Sequence, residues 1–296
     1  MAPHDADDRP ATDRPALAPV IDDLGSRLER ADGLLFLSDF DGTLAPIVED
    51  PAAAAPLDGV PESLRELRDA DRVAVGLVSG RALADLRERS GVSGVHFAGN
   101  HGLELQEPAD AADASASAGE GGSEPEIEVH PTAESAADAI GAVAEDVAAR
   151  VAEIDGVRVE DKRVTATVHY RGVDADAVPA VERAVREAVD DADAKLRITS
   201  GKKIFEIRPD VDWDKGAAVE WLRDRLVPEG ENWLAVYVGD DVTDEDAFRE
   251  LDDGVGIAVG REETDADHVI PDPEAARALT RWVAGPGRRH LGGDGD

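Results

Sequence analysis

The stretch Ser38-Asp39-Phe40-Asp41-Gly42-Thr43-Leu44 decides how this chain reads. It follows a short apolar run, Leu34 to Leu37, of the kind that forms a buried strand. A strand running straight into Asp-x-Asp-Gly-Thr lifts two carboxylates, separated by one residue, into the loop at its carboxyl end. In an open α/β sheet that loop is where ligands bind. Alternation sends Asp39 and Asp41 one way and Phe40 the other, and Gly42 permits a sharp exit. Taken alone, the same letters in a chain this rich in Asp also read as a strand ending in an acidic turn. The surrounding sequence decides between the two.

That surrounding sequence repeats the pattern. Helices are expected over Val20 to Glu29 and Pro61 to Asp69. Val73 to Val78 is a second apolar run, ending in Ser79-Gly80-Arg81, and a helix follows from Ala82 to Arg89. Val95 to Ala98 is a third strand, ending in Gly99-Asn100-His101-Gly102. Much later come a helix from Lys215 to Leu226 and a strand from Leu234 to Val238. That strand runs into Gly239-Asp240-Asp241-Val242-Thr243-Asp244-Glu245. Strands over Val255 to Val259 and His268 to Ile270 and a helix over Pro273 to Val283 close the series. Strand, polar loop and helix in repetition predict an α/β fold with a doubly wound parallel sheet.

The interval between differs. Gln106 to Glu126 is low-complexity and acidic, and reads as a loop. A helix over Thr132 to Val151, a hairpin over 157–169, a helix over Ala175 to Val189 and a hairpin over 195–207 then predict an α+β unit. Its antiparallel sheet would carry both helices on one face. The expected organisation is a flexible acidic segment at 1–32, a core at 33–103 and 209–284, and an inserted domain at 104–208. A loose Gly-rich tail at 285–296 completes it.

The composition sets limits. The 296 residues carry 66 acidic against 31 basic side chains, a formal charge of -35, with five lysines in all. Such a balance argues against nucleic acid and against anionic membrane surfaces. An acidic, Lys-poor chain rich in Ala, Val and Asp has the look of a protein from a salt-loving organism, where salt screens self-repulsion. There is no cysteine, which excludes disulfides and thiolate metal sites. Met1 to Pro19 lacks the pattern of a signal peptide, and no run approaches the roughly 18 apolar residues of a membrane span. A soluble cytoplasmic protein is expected.

Asp39 and Asp41, Ser79, Lys215, and Asp240 with Asp244 all fall at or beside strand ends, where the fold would gather them into one crevice. Together they suit phosphoryl transfer through a covalent aspartyl-phosphate. Asp39 would attack phosphorus, and Asp41 would protonate the leaving alkoxide and then deprotonate a water. Asp39, Asp240 and the backbone carbonyl of Asp41 offer hard oxygens suited to Mg²⁺, with Asp241 and Asp244 supporting them. Ser79 and Lys215 would hold phosphate oxygens, with Gly42 and Thr43 in the same loop and Thr43 placed to orient Asp41. Each part has an ordinary reading alone: Ser79 as a helix N-cap, Lys215 as a surface ion pair, Asp240 to Glu245 as an acidic helix start, His101 as a packed histidine. Their joint order favours the site.

With these motifs in place, residues 33–284 resemble the haloacid dehalogenase superfamily of phosphohydrolases. Asp39 to Thr43, Ser79, Lys215 and Gly239 to Asp244 look like its four motifs. The insertion is similar to its C2-type cap on a Rossmannoid core. Val78 to Arg81, Ala98 to Glu104, Gly201-Lys202-Lys203-Ile204-Phe205-Glu206-Ile207-Arg208-Pro209 and Asp214 to Gly216 resemble blocks of the trehalose-6-phosphate phosphatase family. The resemblance implies Mg²⁺-dependent hydrolysis of trehalose 6-phosphate. Lys202 and Glu206 would contact the sugar, with Arg81, Asn100 and His101 helping from the core. Alternation along one strand would aim Lys202 and Glu206 the same way; their ordinary reading is a cross-strand ion pair. A functional link to a trehalose-phosphate synthase and a monomeric chain go with this reading. Three alternatives stay open: a phosphatase for sucrose phosphate or a glycosyl-phosphoglycerate, a phosphomutase, and a non-catalytic subunit that senses a sugar phosphate.

Overall fold

The computed structural model describes residues 10–48, 50–108, 126–201 and 203–292. The chain divides into two compact units, Met1–Ile127 with Trp213–Asp296, and Glu128–Asp212.

The first unit begins with α1 (Ala18–Leu28), β1 (Gly33–Ser38), α2 (Val60–Arg68), β2 (Val73–Val78), α3 (Leu83–Ser90), β3 (His96–Gly99) and β4 (Glu104–Gln106). A short β5 (Ile127–Val129) stands at the junction. The second unit holds α4 (Pro131–Arg150), β6 (Arg158–Asp161), β7 (Ala166–His169), α5 (Val178–Asp190), β8 (Leu196–Gly201) and β9 (Ile204–Pro209). The chain returns to the first unit with α6 (Lys215–Leu226), β10 (Trp233–Gly239), α7 (Asp244–Arg249), β11 (Val255–Val259), β12 (His268–Ile270) and α8 (Pro273–Ala284).

Across the first unit's sheet the order runs β12-β11-β10-β1-β2-β3-β4. Pairing is parallel from β12 to β3, and β4 turns back antiparallel on β3. The chain winds outward from β1 to β3, then returns to the other side of β1 and winds the opposite way. The switch point between β1 and β10 leaves a crevice at their carboxyl ends. Both faces of β1 are covered, which is why its sequence is a continuous apolar run. Leu34 and Phe36 pack with Leu24, Leu64, Leu279 and Trp282 from α1, α2 and α8. Leu35 and Leu37 pack with Val219, Leu222 and Phe248 from α6 and α7. Each such side chain contributes roughly 1.5–3 kcal/mol through burial.

The second unit is an antiparallel sheet in the order β6-β7-β9-β8. Ile140, Val143 and Val147 of α4 and Val181, Val185 and Ala188 of α5 cover Val168, Phe205 and Ile207. Its opposite face carries Thr167 and Glu206, which are paired across β7 and β9. Among the described residues, no helix is long and apolar enough to cross a membrane.

The segment expected to be flexible over 1–32 is packed from residue 10 onward; residues 1–9 lie outside those described. Leu17, Val20, Leu24 and Leu28 recur at helical spacing and are buried, with Ala11, against the core. High overall charge hid this stripe, because the charges occupy the other face. The tail expected to be loose from 285 instead forms a 3-10 turn, Gly287–His290. Gly287 sits on the Trp282 ring, where a Cβ would come within 2.8 Å, and His290 meets Glu29. Residues 293–296, and 109–125 of the acidic loop expected at 106–126, lie outside the described residues. Glu104 to Gln106, placed by sequence in the insertion, extends the core sheet as β4.

Candidate active site

Asp39 follows β1 and Asp240 follows β10, so the parallel pairing of these strands sets the two carboxylates side by side. The Asp39 amide donates to the Val238 carbonyl at 2.8 Å and holds the loop to β10. Gly42 makes the turn that brings the chain back, its N–H donating to the Ala45 carbonyl at 2.7 Å. Its φ of 83° favours glycine, and a Cβ there would lie 2.1 Å from an Asp240 carboxylate oxygen. Thr43 is fully buried in this loop, and its Oγ1 has no hydrogen-bond partner among the described residues.

Lys215 opens α6, whose N-terminus is capped by the Asp214 carboxylate accepting from the Ala217 amide at 3.0 Å. Its ammonium is 3.0 Å from Asp39 Oδ1 and donates to Asp244 Oδ1 at 2.7 Å. All three side chains are buried. Asp244 is itself fixed: Tyr237 donates its hydroxyl to Oδ1 at 2.6 Å, and the Asp241 amide donates to Oδ2 at 2.8 Å. Gly239 clears the space, since a Cβ there would meet the Asp244 carboxyl carbon at 2.3 Å.

The electrostatics follow from burial. Burial pushes the Asp39 carboxyl well above its usual range, and the charges of Asp244, Asp240 and Asp41 push it the same way against the pull of Lys215. Burial disfavours the Lys215 ammonium, but Asp244 and Asp39 outweigh it and hold the side chain firmly protonated. Burial, with the charge of Asp244, keeps the Tyr237 phenol protonated.

Ligand oxygens of Asp39, Asp240 and Asp244 lie within 4.8 Å of one another. Three carboxylates against one lysine leave excess negative charge in a buried place, and their oxygens are the hard donors that Mg²⁺ prefers. Both Asp244 oxygens already accept hydrogen bonds, so Asp39 and Asp240 are the residues that would hold such an ion. From sequence only the backbone carbonyl of Asp41 is asked to face the ion, and the Asp41 carboxylate stands outside this cluster. Arg81 grips both of its oxygens, Nε at 2.5 Å from Oδ2 and Nη2 at 2.6 Å from Oδ1. What Asp41 keeps for an ion is its backbone carbonyl.

Arg81 also donates to Asp85 at 2.5 Å and to the Pro51 carbonyl at 3.1 Å. Expected as a sugar contact, it ties the loop that carries Asp41 to Asp85 of α3. Ser79 is buried after β2, and its Oγ accepts from the Arg81 amide at 3.3 Å. The N-cap position of α3 belongs to Ala82, so Ser79 is not that helix's cap. Asn100 is wholly buried and its amide donates to Glu104 at 2.8 Å. His101 packs its ring where a Gly80 Cβ would come within 2.7 Å. Asn100 and His101 both have positive φ, 50° and 57°, a cost for residues with side chains. Their backbone N–H groups donate to Arg81 and Ser79 carbonyls at 2.7 and 2.9 Å, which locks the two loops together.

In the second unit Glu206 is buried on β9, with Lys162 Nζ 3.7 Å away. Lys202 lies outside the described residues. The strand bearing Glu206 begins at Ile204, preceded by Lys203 in left-handed backbone with φ 68°. Sequence reasoning missed Tyr237 and Asp85. Tyr237 left a signal, a hydroxyl inside a buried apolar strand, which needs a partner; Asp85 left none beyond its spacing from Arg81.

A doubly wound sheet with paired carboxylates at its switch point, a buried lysine between Asp39 and Asp244 and an inserted α+β unit defines the haloacid dehalogenase class of α/β fold. Within that class, a model of the family described as trehalose-phosphatase matches residues 37–271, and the chain belongs to this family. A trehalose-phosphate phosphatase of Mycobacterium avium is 44% identical over 215 residues, 71% of this chain and 49% of that protein. One of Mycobacterium marinum is 39% identical over 272 residues, 88% of this chain and 64% of that protein. The chain thus spans about half to two thirds of these relatives. The solved C-terminal domain of the C. albicans trehalose-6-phosphate phosphatase superposes with a TM-score of 0.71 at 26% identity, covering 90% of this chain and 96% of that one.

Proposed function

We propose that this chain is a Mg²⁺-dependent phosphatase that hydrolyses trehalose 6-phosphate to trehalose and phosphate. The observation that carries the chemistry is the buried Lys215 ammonium, 3.0 Å from Asp39 and fixed on Asp244. It supports a nucleophilic carboxylate with a cation beside it, placed to stabilise the oxygens of a phosphoryl group in flight. The substrate comes from the family and from the names of the relatives.

In this reading Asp39 attacks phosphorus and the sugar alkoxide leaves with a proton from Asp41. Asp41 then takes a proton from the water that hydrolyses the aspartyl-phosphate. Lys215, Ser79 and the Gly42–Thr43 loop hold the phosphoryl oxygens. Arg81 orients Asp41, and Asp85 orients Arg81. Bound between Asp39, Asp240 and the Asp41 carbonyl, Mg²⁺ would supply neutralising charge to the phosphate. Asp244 and Asp241 would steady that group. Asn100, buried, shapes the loop that presents His101, and His101, Lys202 and Glu206 would meet sugar hydroxyls. A functional link to the synthase that makes this ester goes with the same reading.

The test is phosphate release from a panel of sugar phosphates, at high salt with Mg²⁺. Preferred turnover of trehalose 6-phosphate supports the assignment. Preference for sucrose phosphate or a glycosyl-phosphoglycerate moves the substrate, isomerisation without release favours a mutase, and binding without turnover favours a sensing subunit.

A further inference from the structure

We propose that Tyr237 is a positioning residue for phosphoryl transfer, acting through Asp244 to set where the Lys215 ammonium stands against Asp39. The proposal rests on the phosphatase reading for its kinetic consequence, and on geometry alone for its structural one.

Tyr237 lies on β10 directly opposite Leu37 of β1, in a strand otherwise built of apolar side chains. Its ring is fully buried and meets Phe248 edge-on, with centroids 5.7 Å apart. An apolar side chain would fill that space as well, so packing does not account for the hydroxyl. What the hydroxyl does is donate to Asp244 Oδ1 at 2.6 Å, the same oxygen that accepts from Lys215 at 2.7 Å. With the Asp241 amide on Oδ2, the carboxylate is held by three donors from three segments: β10, the start of α6, and the turn before α7.

A lysine ammonium is a compact charge on a flexible four-carbon stem, so its position depends on what anchors it. Asp244 and Asp39 compete for it, at 2.7 and 3.0 Å. The Tyr237 hydroxyl satisfies part of Asp244 Oδ1 and so weakens that side of the competition. Without it, Asp244 would draw Lys215 closer and away from Asp39, where phosphoryl charge develops. A loss felt in the transition state and not in substrate binding lowers kcat and leaves KM nearly unchanged.

The experiment is Tyr237→Phe, which keeps the ring and removes the hydroxyl. With trehalose 6-phosphate and Mg²⁺, kcat should fall about tenfold or more while KM stays within about twofold. In parallel, the amino groups of ¹⁵N-lysine-labelled protein are followed by NMR. There are five lysines, and the signal of buried Lys215, assigned by its absence in Lys215→Arg, should shift or exchange faster in the Phe variant. An unchanged kcat, or an unmoved Lys215 signal, overturns the proposal; a fall in thermal stability with kcat intact means a structural hydroxyl only. If the wild type turns over no ester, the phosphatase reading fails by itself and the Lys215 signal still decides the role of Tyr237. Should the Phe variant not fold, replacing both tyrosines with 3-fluorotyrosine makes the donor stronger, and the Lys215 signal must move in response or the proposal falls.

Discussion

Arg81 holds both carboxylate oxygens of Asp41 in a planar fork, at 2.5 and 2.6 Å, and gives its remaining nitrogen to Asp85. Two parallel bonds fix the plane of a carboxylate as well as its position. The proposed acid and base is thereby aimed by a residue forty positions away, on the loop after a neighbouring strand.

Arg81→Lys should therefore behave as an orientation defect. A lysine keeps the charge and loses the fork. We expect kcat to drop about a hundredfold, within the range of general acid–base catalysis, with KM little changed. Asp85→Asn should show the same signature more weakly. Steady-state kinetics on both variants check this; a rise in KM alone would return Arg81 to the sugar-contact role expected from sequence.

Lys215→Met should abolish turnover and also destabilise the fold. It leaves Asp39 and Asp244 buried without their cation, a situation that costs about 3–5 kcal/mol. Adding Asp39→Asn to the Met variant should restore part of that stability by removing one stranded charge. Denaturant unfolding at fixed salt measures both.

Gly42→Ala tests the metal geometry apart from turnover. The new Cβ would sit 2.1 Å from an Asp240 oxygen on backbone with φ 83°. Asp240 must move, so Mg²⁺ affinity by calorimetry should fall about tenfold or more, with a strain cost of order 1–3 kcal/mol. Unchanged affinity would separate Asp240 from the ion.

His96, at the start of β3, gives a pH dependence. Burial takes its pKa from 6.5 down to about 4, with Arg225 adding to the shift and Glu107 opposing it. Above pH 6.5 neither folded nor unfolded chain protonates this ring, and its contribution is intact. As pH falls from 6.5 towards 4 the unfolded chain takes up a proton that the folded one refuses, and stability drops by up to roughly 3 kcal/mol. His96→Asn should remove this part of the dependence, read as a smaller loss of unfolding free energy between pH 7 and pH 5 than in wild type.

Much of the core was legible because each parallel strand is an apolar run that ends in a polar motif. Val73–Val78, Lys215–Leu226, Val255–Val259 and His268–Ile270 have the bounds read from sequence. The three residues of β4 were not legible, since antiparallel pairing on β3 is decided in space. The docking of α1 was masked by composition, although Leu17, Val20, Leu24 and Leu28 carried the helical period. In the site, the motifs announced Asp39, Lys215 and Asp244 together, because each follows or opens an element with a clear boundary. The Arg81–Asp41 fork joins residues that only the pairing of β1 with β2 brings within reach, and the Tyr237–Asp244 bond depends on how the turn after β10 folds α7 back on the strand.

The most direct measurement is to trap the phosphorylated protein. Enzyme mixed with trehalose 6-phosphate and Mg²⁺ is quenched in acid within a turnover, digested, and its peptides are read by mass spectrometry. The account predicts a phosphoryl group on the peptide carrying Asp39, removed by hydroxylamine as an acyl phosphate must be, and absent in Asp39→Asn. Phosphate release with the label on another residue, or with the Asp39→Asn variant still active, would contradict it.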